Sequence, residues 1–283
     1  MSMDTLRIAV VQMNSQSDKA ANVATAERLI DQAVAAGAQV VALPECVDFL
    51  GPHAMQADLA EPIPGPTTER FAAKARQHGI YLLGGSILEQ SPVPGKHYNT
   101  SVLFGPDGAI LAVYRKIHLF DVDLTGNVST SESETTLPGE QIVTAQIAGH
   151  SVGLTICYDL RFPELYRLLA LAGAELIFVP AAFTLYTGKD HWHVLLRARA
   201  IENQCYIAAP AQIGPHDGGQ CYGHAVIVDP WGTVVAEAPN QREAIAVATI
   251  DFAYLQQVRR ELPALANRRP AAYQGLLAAL PTH

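Results

Sequence analysis

The chain has 283 residues and a formal net charge of −8, with 49% hydrophobic and only 16% charged residues. This composition predicts a globular protein with a large buried core and excludes an intrinsically disordered chain. The acidic balance argues against nucleic acid as a main partner, because a protein that binds a polyphosphate needs a basic face.

The first half of the chain alternates short apolar runs with segments in which apolar residues recur at helical spacing. The predicted elements are, in order, a strand at Leu6–Val11, a helix at Asn22–Ala36, a strand at Gln39–Leu43, a helix at Pro66–His78, a strand at Ile80–Leu83 and a hairpin of Ser101–Phe104 and Ala109–Tyr114. A turn at Gly105–Gly108 closes the hairpin. A long polar loop is expected from Asp121 to Glu140.

The second half repeats this order. Its predicted elements are a strand at Val152–Ile156, a helix at Glu164–Ala172, a strand at Glu175–Val179, a helix at His191–Asn203, a strand at Cys205–Ala208 and a hairpin of Ala225–Val228 and Thr233–Glu237. The stretch GAQVVALPE corresponds to GAELIFVPA, and YNTSVLFGPDGAILAVY corresponds to YGHAVIVDPWGTVVAEA. The similarity indicates a duplicated β-α-β-α-β-β unit, although two generic α/β halves could also resemble each other by coincidence.

A duplicated unit predicts the fold. Each half would form one mixed sheet with two helices on one face, and the bare faces of the two sheets would cover each other. The expected fold is of the α/β class: a four-layer α-β-β-α sandwich with an internal pseudo-two-fold duplication, built as a single domain from residues 1–283. Its core would span about residues 6–250. Residues 251–283 would form a C-terminal arm, either solvated or at a subunit interface.

Cysteine usage indicates the compartment. The chain has four cysteines, no CxxC pair and no recognisable secretory signal, which favours a reducing, cytoplasmic location over a disulfide framework. Its longest nearly uncharged run, 168–186, is interrupted by Gly173, Glu175 and Pro180. A buried helix and strand explain that run better than a membrane span, which needs about 20 uninterrupted apolar residues.

Four side chains stand where chemistry is expected. Cys157 follows the apolar strand that opens the second half, and ligands of open α/β sheets bind at the carboxyl ends of strands. Glu45 ends a strand of the first half, and Lys116 follows the first hairpin among apolar neighbours. Glu132 lies in the polar loop. Each also has an ordinary explanation, as a buried hydrophobe for the cysteine and as solvated surface groups for the others.

The residues around three of these positions resemble the signature blocks of the nitrilase superfamily of carbon–nitrogen hydrolases. The blocks are LPE ending at Glu45, YRK ending at Lys116 and ICYDLRFPE containing Cys157, in the order that the superfamily uses. The similarity extends from about Arg7 to Tyr273. The resemblance implies an α-β-β-α sandwich that pairs into homodimers or larger homo-oligomers.

The resemblance also implies roles. Cys157 would be the nucleophile, Glu45 the general base and Lys116 the stabiliser of the oxyanion. Glu132 would help to position Lys116 and the substrate, although Glu134 lies only two residues away. The backbone N–H of Tyr158 would be a second oxyanion donor. The implied reaction is amide hydrolysis through a cysteine thioester with release of ammonia, and it needs neither a metal nor an organic cofactor.

The block from Phe183 to Gly188 and the later TyrGlyHis224 and DPWG resemble the Nit branch of the superfamily. That branch implies a small carboxylic acid amide as substrate, namely a 2-oxo-dicarboxylate monoamide similar to deaminated glutathione, or alternatively 2-oxoglutaramate. N-carbamoyl amino acid hydrolysis remains a further alternative, although Leu160-Arg161 stands where those enzymes commonly carry two arginines. The residues expected to contact the substrate are Tyr158, Arg161, Phe183, Thr184 and Trp192, with Arg197 and Arg199 as further candidates for binding its carboxylate.

Three other classes of function compete with this hypothesis. A metal hydrolase could use His191, His193, His216 and His224, although no HExxH motif is present. A Cys–His hydrolase could use His191 or His224 as the base. A non-catalytic binding module could share the fold without the chemistry.

Overall fold

The structure is a computed structural model that describes residues 4–124, 126 and 128–272. Its helices are α1 (Lys19–Ala35), α2 (His53–Leu59), α3 (Pro66–His78), α4 (Pro163–Leu171), α5 (Leu185–Asn203) and α6 (Phe252–Glu261). None of the helices in this part of the chain combines the length and apolarity that a bilayer-spanning helix needs.

The strands form two large sheets and one small ribbon. They are β1 (Thr5–Met13), β2 (Val40–Ala42), β3 (Tyr81–Leu83), β4 (Ile87–Gln90), β5 (His97–Phe104), β6 (Ile110–Arg115), β7 (Asp121–Leu124), β8 (Val128–Ser131), β9 (Thr136–Leu137), β10 (Thr144–Ile147), β11 (His150–Leu154), β12 (Leu176–Phe178), β13 (Tyr206–Ala209), β14 (Ala211–His216), β15 (Gly219–Tyr222), β16 (Val226–Val228), β17 (Val234–Glu237) and β18 (Ala244–Asp251).

The two sheets repeat one topology. In the first, β1, β2 and β3 are parallel, and β5 and β6 follow antiparallel. In the second, β11, β12 and β13 are parallel, and β16 and β17 follow antiparallel. The predicted order of elements in both halves is confirmed.

Each half also lends its last strand to the other. Strand β10, which follows the first half, pairs antiparallel with β11 in the second sheet. Strand β18, which follows the second half, pairs antiparallel with β1 from Thr5–Asp251 to Gln12–Ala244. These two exchanged strands tie the halves together through backbone hydrogen bonds.

Alternation along β1 sorts its side chains between two cores. Ile8 and Val10 belong to the core that also contains residues of the second sheet, whereas Ala9 and Val11 pack in the core that contains α1 and α3. Because both faces of the strand are buried, its sequence is a continuous apolar run. The molecule is therefore the expected four-layer α-β-β-α sandwich.

Helix ends follow ordinary capping chemistry. Pro66 and Pro163 occupy the first turns of α3 and α4, where a missing N–H costs no hydrogen bond. Gly79 ends α3 in the left-handed region at φ +63°, which a glycine adopts without strain. Helix α5 starts at Leu185, six residues before the predicted start, because the Thr184 side chain caps it by accepting from Thr187 N–H.

Two segments differ from their predictions. The expected polar loop from Asp121 to Glu140 contains the β7–β8 ribbon, a 3₁₀ turn and β9. In the expected C-terminal arm, α6 docks on its own chain: Phe252 is buried and stacks on His150, and Arg259 donates to the carbonyl of Gln204. The remainder of that arm, residues 273–283, and the end of the family resemblance at Tyr273 lie outside the described residues.

Candidate active site

The structure brings the predicted acid and lysine together at one edge of the sandwich. Glu45 lies just beyond the carboxyl end of β2, and Lys116 directly follows β6. Lys116 Nζ lies 3.0 Å from Glu45 Oε1, although 71 residues separate them in sequence. Both side chains are almost completely buried. Such a pair needs further hydrogen bonds to offset the cost of desolvation.

Glu132 supplies part of that compensation. Its carboxylate accepts two hydrogen bonds from Lys116 Nζ, at 2.8 and 3.1 Å, and one from Phe120 N–H at 2.7 Å. Glu134, the alternative from the sequence, is exposed. The geometry therefore selects Glu132 as the second carboxylate of the site. Lys116 is left as an ammonium held between two carboxylates.

Asn99, on β5, is a residue of the site that the sequence analysis did not predict. Its Nδ2 donates to Glu45 Oε1 at 2.9 Å and to Glu132 Oε1 at 3.3 Å, and its backbone carbonyl accepts from Lys116 N–H. The other oxygen of Glu45 accepts from Ala182 N–H at 2.8 Å. These bonds fix the rotamer of Glu45. The only signal in the sequence is a polar amide in a strand that is otherwise buried.

Cys157 opens a 3₁₀ turn, Cys157–Arg161, that follows β11. Its backbone has φ +45°, an unusual value for a residue other than glycine, and its N–H donates to Pro180 O. Such strained positions persist only where the surroundings hold them, and they cluster at active sites.

Buried Asp159 holds this turn. Its carboxylate accepts from the backbone N–H of Ile156, from the hydroxyl of Tyr114 at 2.6 Å and from His118 N–H, and it lies 2.7 Å from His118 Nδ1. Asp159 is thus a positioning residue that the sequence motif contained but that the site prediction left out.

The electrostatics favour a neutral thiol beside charged neighbours. Burial, together with the charge of Glu45 and a hydrogen bond to it, raises the pKa of Cys157 well above its usual value. Burial alone would lower the pKa of Lys116, but the carboxylates of Glu132 and Glu45 hold it well above the usual value. Burial likewise opposes ionisation of Glu132, yet Lys116 outweighs it and lowers that pKa. The resting thiol therefore needs a base before it can act as a nucleophile.

These groups lie in a cleft of about 1230 Å³. Tyr158, Arg161, Phe183 and Thr184, all predicted to contact the substrate, line it, and so do parts of the β7–β8 ribbon. Trp192 does not. It is fully buried, packs behind Phe183 with ring centroids 5.1 Å apart, and donates from Nε1 to a backbone carbonyl. The prediction that Trp192 lines the pocket is therefore wrong, because its indole is buried in the core.

The three candidate arginines separate. Arg199 is buried, donates to Leu160 O and pairs with Glu202 at 2.8 Å. Arg197 donates to Gly232 O. Arg161 lies in the wall of the cleft, over the ring of Phe183 at 5.2 Å. Arg161 is the candidate that can face a bound carboxylate.

Of the four histidines in the competing hypotheses, His216 alone lines the cleft, and it belongs to no group of three metal-ligating side chains in the part of the chain that the structure describes. His193 and His224 converge on Glu237, and none of these three residues lines the cleft. His191 contacts Arg161 instead of Cys157, with 3.3 Å between the two nitrogens. The carboxylate beside the thiol is that of Glu45.

Replacing Asn99 with alanine is expected to lower kcat by about 10- to 100-fold with a smaller effect on KM. The change removes a donor shared by two buried carboxylates, which costs about 1–3 kcal/mol of hydrogen bonding and frees Glu45 to leave its reactive rotamer. Steady-state kinetics will check this, with urea unfolding as a measure of global stability. An unchanged kcat would show that the amide only fills space.

His97, on the same face of β5 as Asn99, gives the protein a pH-dependent stability. Burial lowers the pKa of His97 to about 4, against about 6.5 in the unfolded chain. Between these values the unfolded state binds a proton that the folded state does not. Stability is therefore lost as pH falls from about 7 to about 4, by up to about 3 kcal/mol from this group.

Urea unfolding at pH 7.0 and at pH 4.5 will measure this loss. In His97→Gln, which keeps a nitrogen near Thr136 Oγ1, the difference in unfolding free energy between the two pH values is expected to shrink. The exposed His191→Asn variant controls for loss of any histidine. Equal differences in wild type and His97→Gln would contradict the assignment.

Comparison with known proteins agrees with the geometry. The family model described as carbon-nitrogen hydrolase matches residues 7–260. Deaminated glutathione amidase of Synechocystis sp. is 44% identical over 92% of this chain and 97% of its own length. Omega-amidase NIT2 of Xenopus tropicalis is 42% identical over 96% of this chain and 98% of its own. Nit3 of Saccharomyces cerevisiae, a member of branch 10 of the nitrilase superfamily, superposes with a TM-score of 0.84 at 35% identity, covering 94% of this chain and 97% of that one.

Proposed function

We propose a substrate and a mechanism from one premise: the chain belongs to the carbon–nitrogen hydrolase family. It is an amidase of the nitrilase superfamily, and the proposed reaction is hydrolysis of the amide of a small 2-oxo-dicarboxylate monoamide. The observation that carries the proposal is the buried cluster of Glu45, Lys116 and Glu132 in the cleft that Cys157 also lines. A base, a fixed cation and a nucleophile are the parts that acyl transfer requires.

Acylation begins with the neutral thiol. Glu45 accepts the proton of Cys157 as Sγ attacks the amide carbon, and the carbonyl oxygen becomes an oxyanion. Lys116 Nζ and the backbone N–H of Tyr158 stabilise that oxyanion. Glu45 then donates the proton to the amide nitrogen, the C–N bond breaks and the amine leaves. The acyl group remains as a thioester on Cys157.

Deacylation uses the same base. Glu45 accepts a proton from water as the water oxygen attacks the thioester carbon, and Lys116 again stabilises the oxyanion. The C–S bond breaks and Glu45 returns the proton to the Cys157 thiolate, which restores the neutral thiol and the carboxylate base. The overall balance is amide plus water to carboxylic acid plus amine. Throughout, hydrogen bonds of Glu132 and Asn99 hold the side chains of Lys116 and Glu45 in position.

The leaving amine depends on the substrate. From 2-oxoglutaramate it is ammonia; the sequence-based hypothesis expected ammonia from deaminated glutathione as well, and that expectation is wrong. In deaminated glutathione the amide nitrogen carries cysteinylglycine, so that substrate releases a dipeptide. A cleft of about 1230 Å³ has room for either substrate, because pockets of 300–1,000 Å³ already hold drug-sized ligands. One of the two amidase relatives is named for deaminated glutathione and the other as an omega-amidase, so both substrates remain candidates.

The N-carbamoyl alternative has less support. Leu160, which stands where carbamoylases commonly carry an arginine, is fully buried and does not line the cleft. Its side chain cannot reach a substrate carboxylate. One arginine, Arg161, is then left at this turn to bind the substrate.

The test is product formation from a panel. Purified protein is incubated with deaminated glutathione, 2-oxoglutaramate, an N-carbamoyl amino acid and an aliphatic nitrile, and the carboxylic acid product is measured by mass spectrometry. Cys157→Ala protein prepared in parallel controls for contaminating amidases. We expect kcat/KM to be greatest for one of the first two compounds. Turnover of only the carbamoyl compound or the nitrile would reject the substrate assignment.

Arg161→Gln is expected to raise KM for these acids by about 10- to 100-fold and to change kcat less. The guanidinium would bind a remote carboxylate equally in the ground and transition states, and loss of such uniform binding appears in KM. Arg161→Lys, which keeps the charge without the fork, should fall between wild type and Arg161→Gln. A fall in kcat alone would place Arg161 in the chemistry instead.

We also propose that the enzyme is a cytoplasmic homodimer or larger homo-oligomer. The support for the assembly is an exposed apolar strip on α5, where Val194 and Ile201 are 67% and 47% exposed and lie on one face. Ile201 lies next to Gly232, which follows the exposed Trp231. Light scattering during size-exclusion chromatography measures the assembly. A monomer at micromolar concentration would contradict this part of the proposal.

A further inference from the structure

Three metal-ligating side chains converge on the face of the second sheet that carries α5. His193 lies on α5, His224 precedes β16, and Glu237 ends β17. Glu237 Oε1 lies 3.0 Å from His193 Nε2 and 2.5 Å from His224 Nδ1. One ligand atom from each residue lies within 4.8 Å of the other two. We propose that this trio binds one divalent transition-metal ion of the Zn²⁺ type.

The donor set suits that class of ion. Two imidazole nitrogens and one carboxylate oxygen are a common zinc set, in which a water completes the coordination. Imidazole favours zinc, nickel, copper and cobalt over calcium and magnesium, which prefer oxygen ligands. In a single subunit the side chains of His193, His224 and Glu237 are 29%, 17% and 34% exposed, so solvent reaches the site and an ion can enter before the subunits assemble.

The surroundings hold two of the ligands in place. The ring of Tyr222 stacks on His224 with centroids 4.3 Å apart, and the indole N–H of Trp192 donates to the carbonyl of His224. His224 also has φ +59°, a backbone conformation that a residue other than glycine seldom adopts. Trp192 is the residue before His193 and is fully buried, which anchors that end of α5. Preorganised ligands of this kind raise metal affinity.

The ion would connect α5, the segment that precedes β16 and the end of β17. The residue that caps α5, Thr184, lies in the wall of the cleft. None of the three ligands lines the cleft, so the ion takes no part in the proposed amide chemistry. Its effect is on stability, because any ligand that binds the folded state alone raises the unfolding midpoint.

The experiment uses untagged, chelator-treated Cys157→Ala protein, in which the cleft thiol cannot bind metal. Calorimetric titration with Zn²⁺ is expected to show one site, and excess Zn²⁺ to raise Tm. Glu237→Gln and His193→Ala in the same background should weaken binding by more than about 100-fold, since loss of an outer-shell partner alone costs 10- to 100-fold. His191→Ala, two residues from His193 on the same helix, is the matched control and should bind like the parent.

Cobalt supplies a readout that needs no ligand variant. Co²⁺ added to the same parent protein should give d–d absorption without a thiolate charge-transfer band, and Zn²⁺ should remove it. Three results would overturn the proposal: no stoichiometric site, binding that survives Glu237→Gln, or equal loss in His191→Ala. The first would leave the trio as a hydrogen-bonded cluster only, and the others would indicate adventitious binding by surface histidines.

Discussion

Replacing Cys157 with alanine is expected to lower kcat/KM for amide hydrolysis by at least about 10⁴-fold. Removing a catalytic nucleophile leaves only the acceleration that comes from binding and oxyanion stabilisation. In this site the loss should be nearly complete, because the carboxylates of Glu45 and Glu132 are both hydrogen-bonded to Lys116. Neither is free to attack in place of sulfur. Steady-state kinetics with the better of the two proposed substrates measures the effect.

Acid quench during turnover supplies the direct evidence. Wild-type protein mixed with a slow substrate should gain the mass of the acyl group, and peptide mapping should place it on Cys157. Cys205→Ala is the matched control, because that cysteine is fully buried and does not line the cleft. It should retain both turnover and the acyl mass. Turnover within tenfold of wild type in Cys157→Ala, or an acyl group on another residue, would remove the thioester from the mechanism.

Glu45, Lys116 and Cys157 could be predicted as site residues from the sequence. Each follows a strand or hairpin whose apolar pattern is readable, and topology then brings strand ends to one edge of the sandwich. The position of each residue is thus a local signal. That Lys116 Nζ would lie 3.0 Å from Glu45 Oε1 is not local, and it depends on the register of β5 against β6.

The residues that escaped prediction share one cause. Asn99 and Asp159 act through contacts with residues 33 to 54 positions away, and neither has a local pattern that separates it from a polar residue in a strand or turn. The prediction for Trp192 was wrong in the opposite sense, because it assigned a site role to a residue of the core. Its neighbourhood suggested a pocket, but a large aromatic side chain gains more by filling the core than by lining a cleft.

The exchanged strands show the same limit for the fold. β10 has only four residues and β18 has eight, both are partly polar, and each pairs with the half that it does not follow in sequence. Periodicity reports which face of a strand is buried, but it does not report its partner. The repeated order of elements was enough to predict the layers. The pairing partners of the strands that join the halves could be found only from the structure.

Replacing Glu45 with glutamine is expected to lower kcat/KM by about 10³- to 10⁴-fold. General acid–base catalysis contributes about 10²- to 10⁴-fold, and the proposed mechanism uses Glu45 in both acylation and deacylation. Glutamine keeps the size of the side chain, and Lys116 keeps its ion pair with Glu132. His224→Asn tests the alternative of a histidine base and should remain active. If Glu45→Gln kept most of its turnover while His224→Asn lost it, a Cys–His mechanism would replace the present one.

The pH profile separates loss of a base from loss of structure. Without Glu45, the Cys157 proton must leave to solvent before attack, so the residual kcat/KM should rise about tenfold per pH unit until the thiol ionises. The carboxylate of Glu45 is one cause of the raised pKa of Cys157, so that rise should level off at a lower pH than the wild-type thiol would require. A variant that had merely lost its fold would show low activity at every pH. A flat residual rate with intact unfolding behaviour would show that the thiol proton does not limit the reaction, and Glu45 would then be a positioning residue for Lys116 instead of the base.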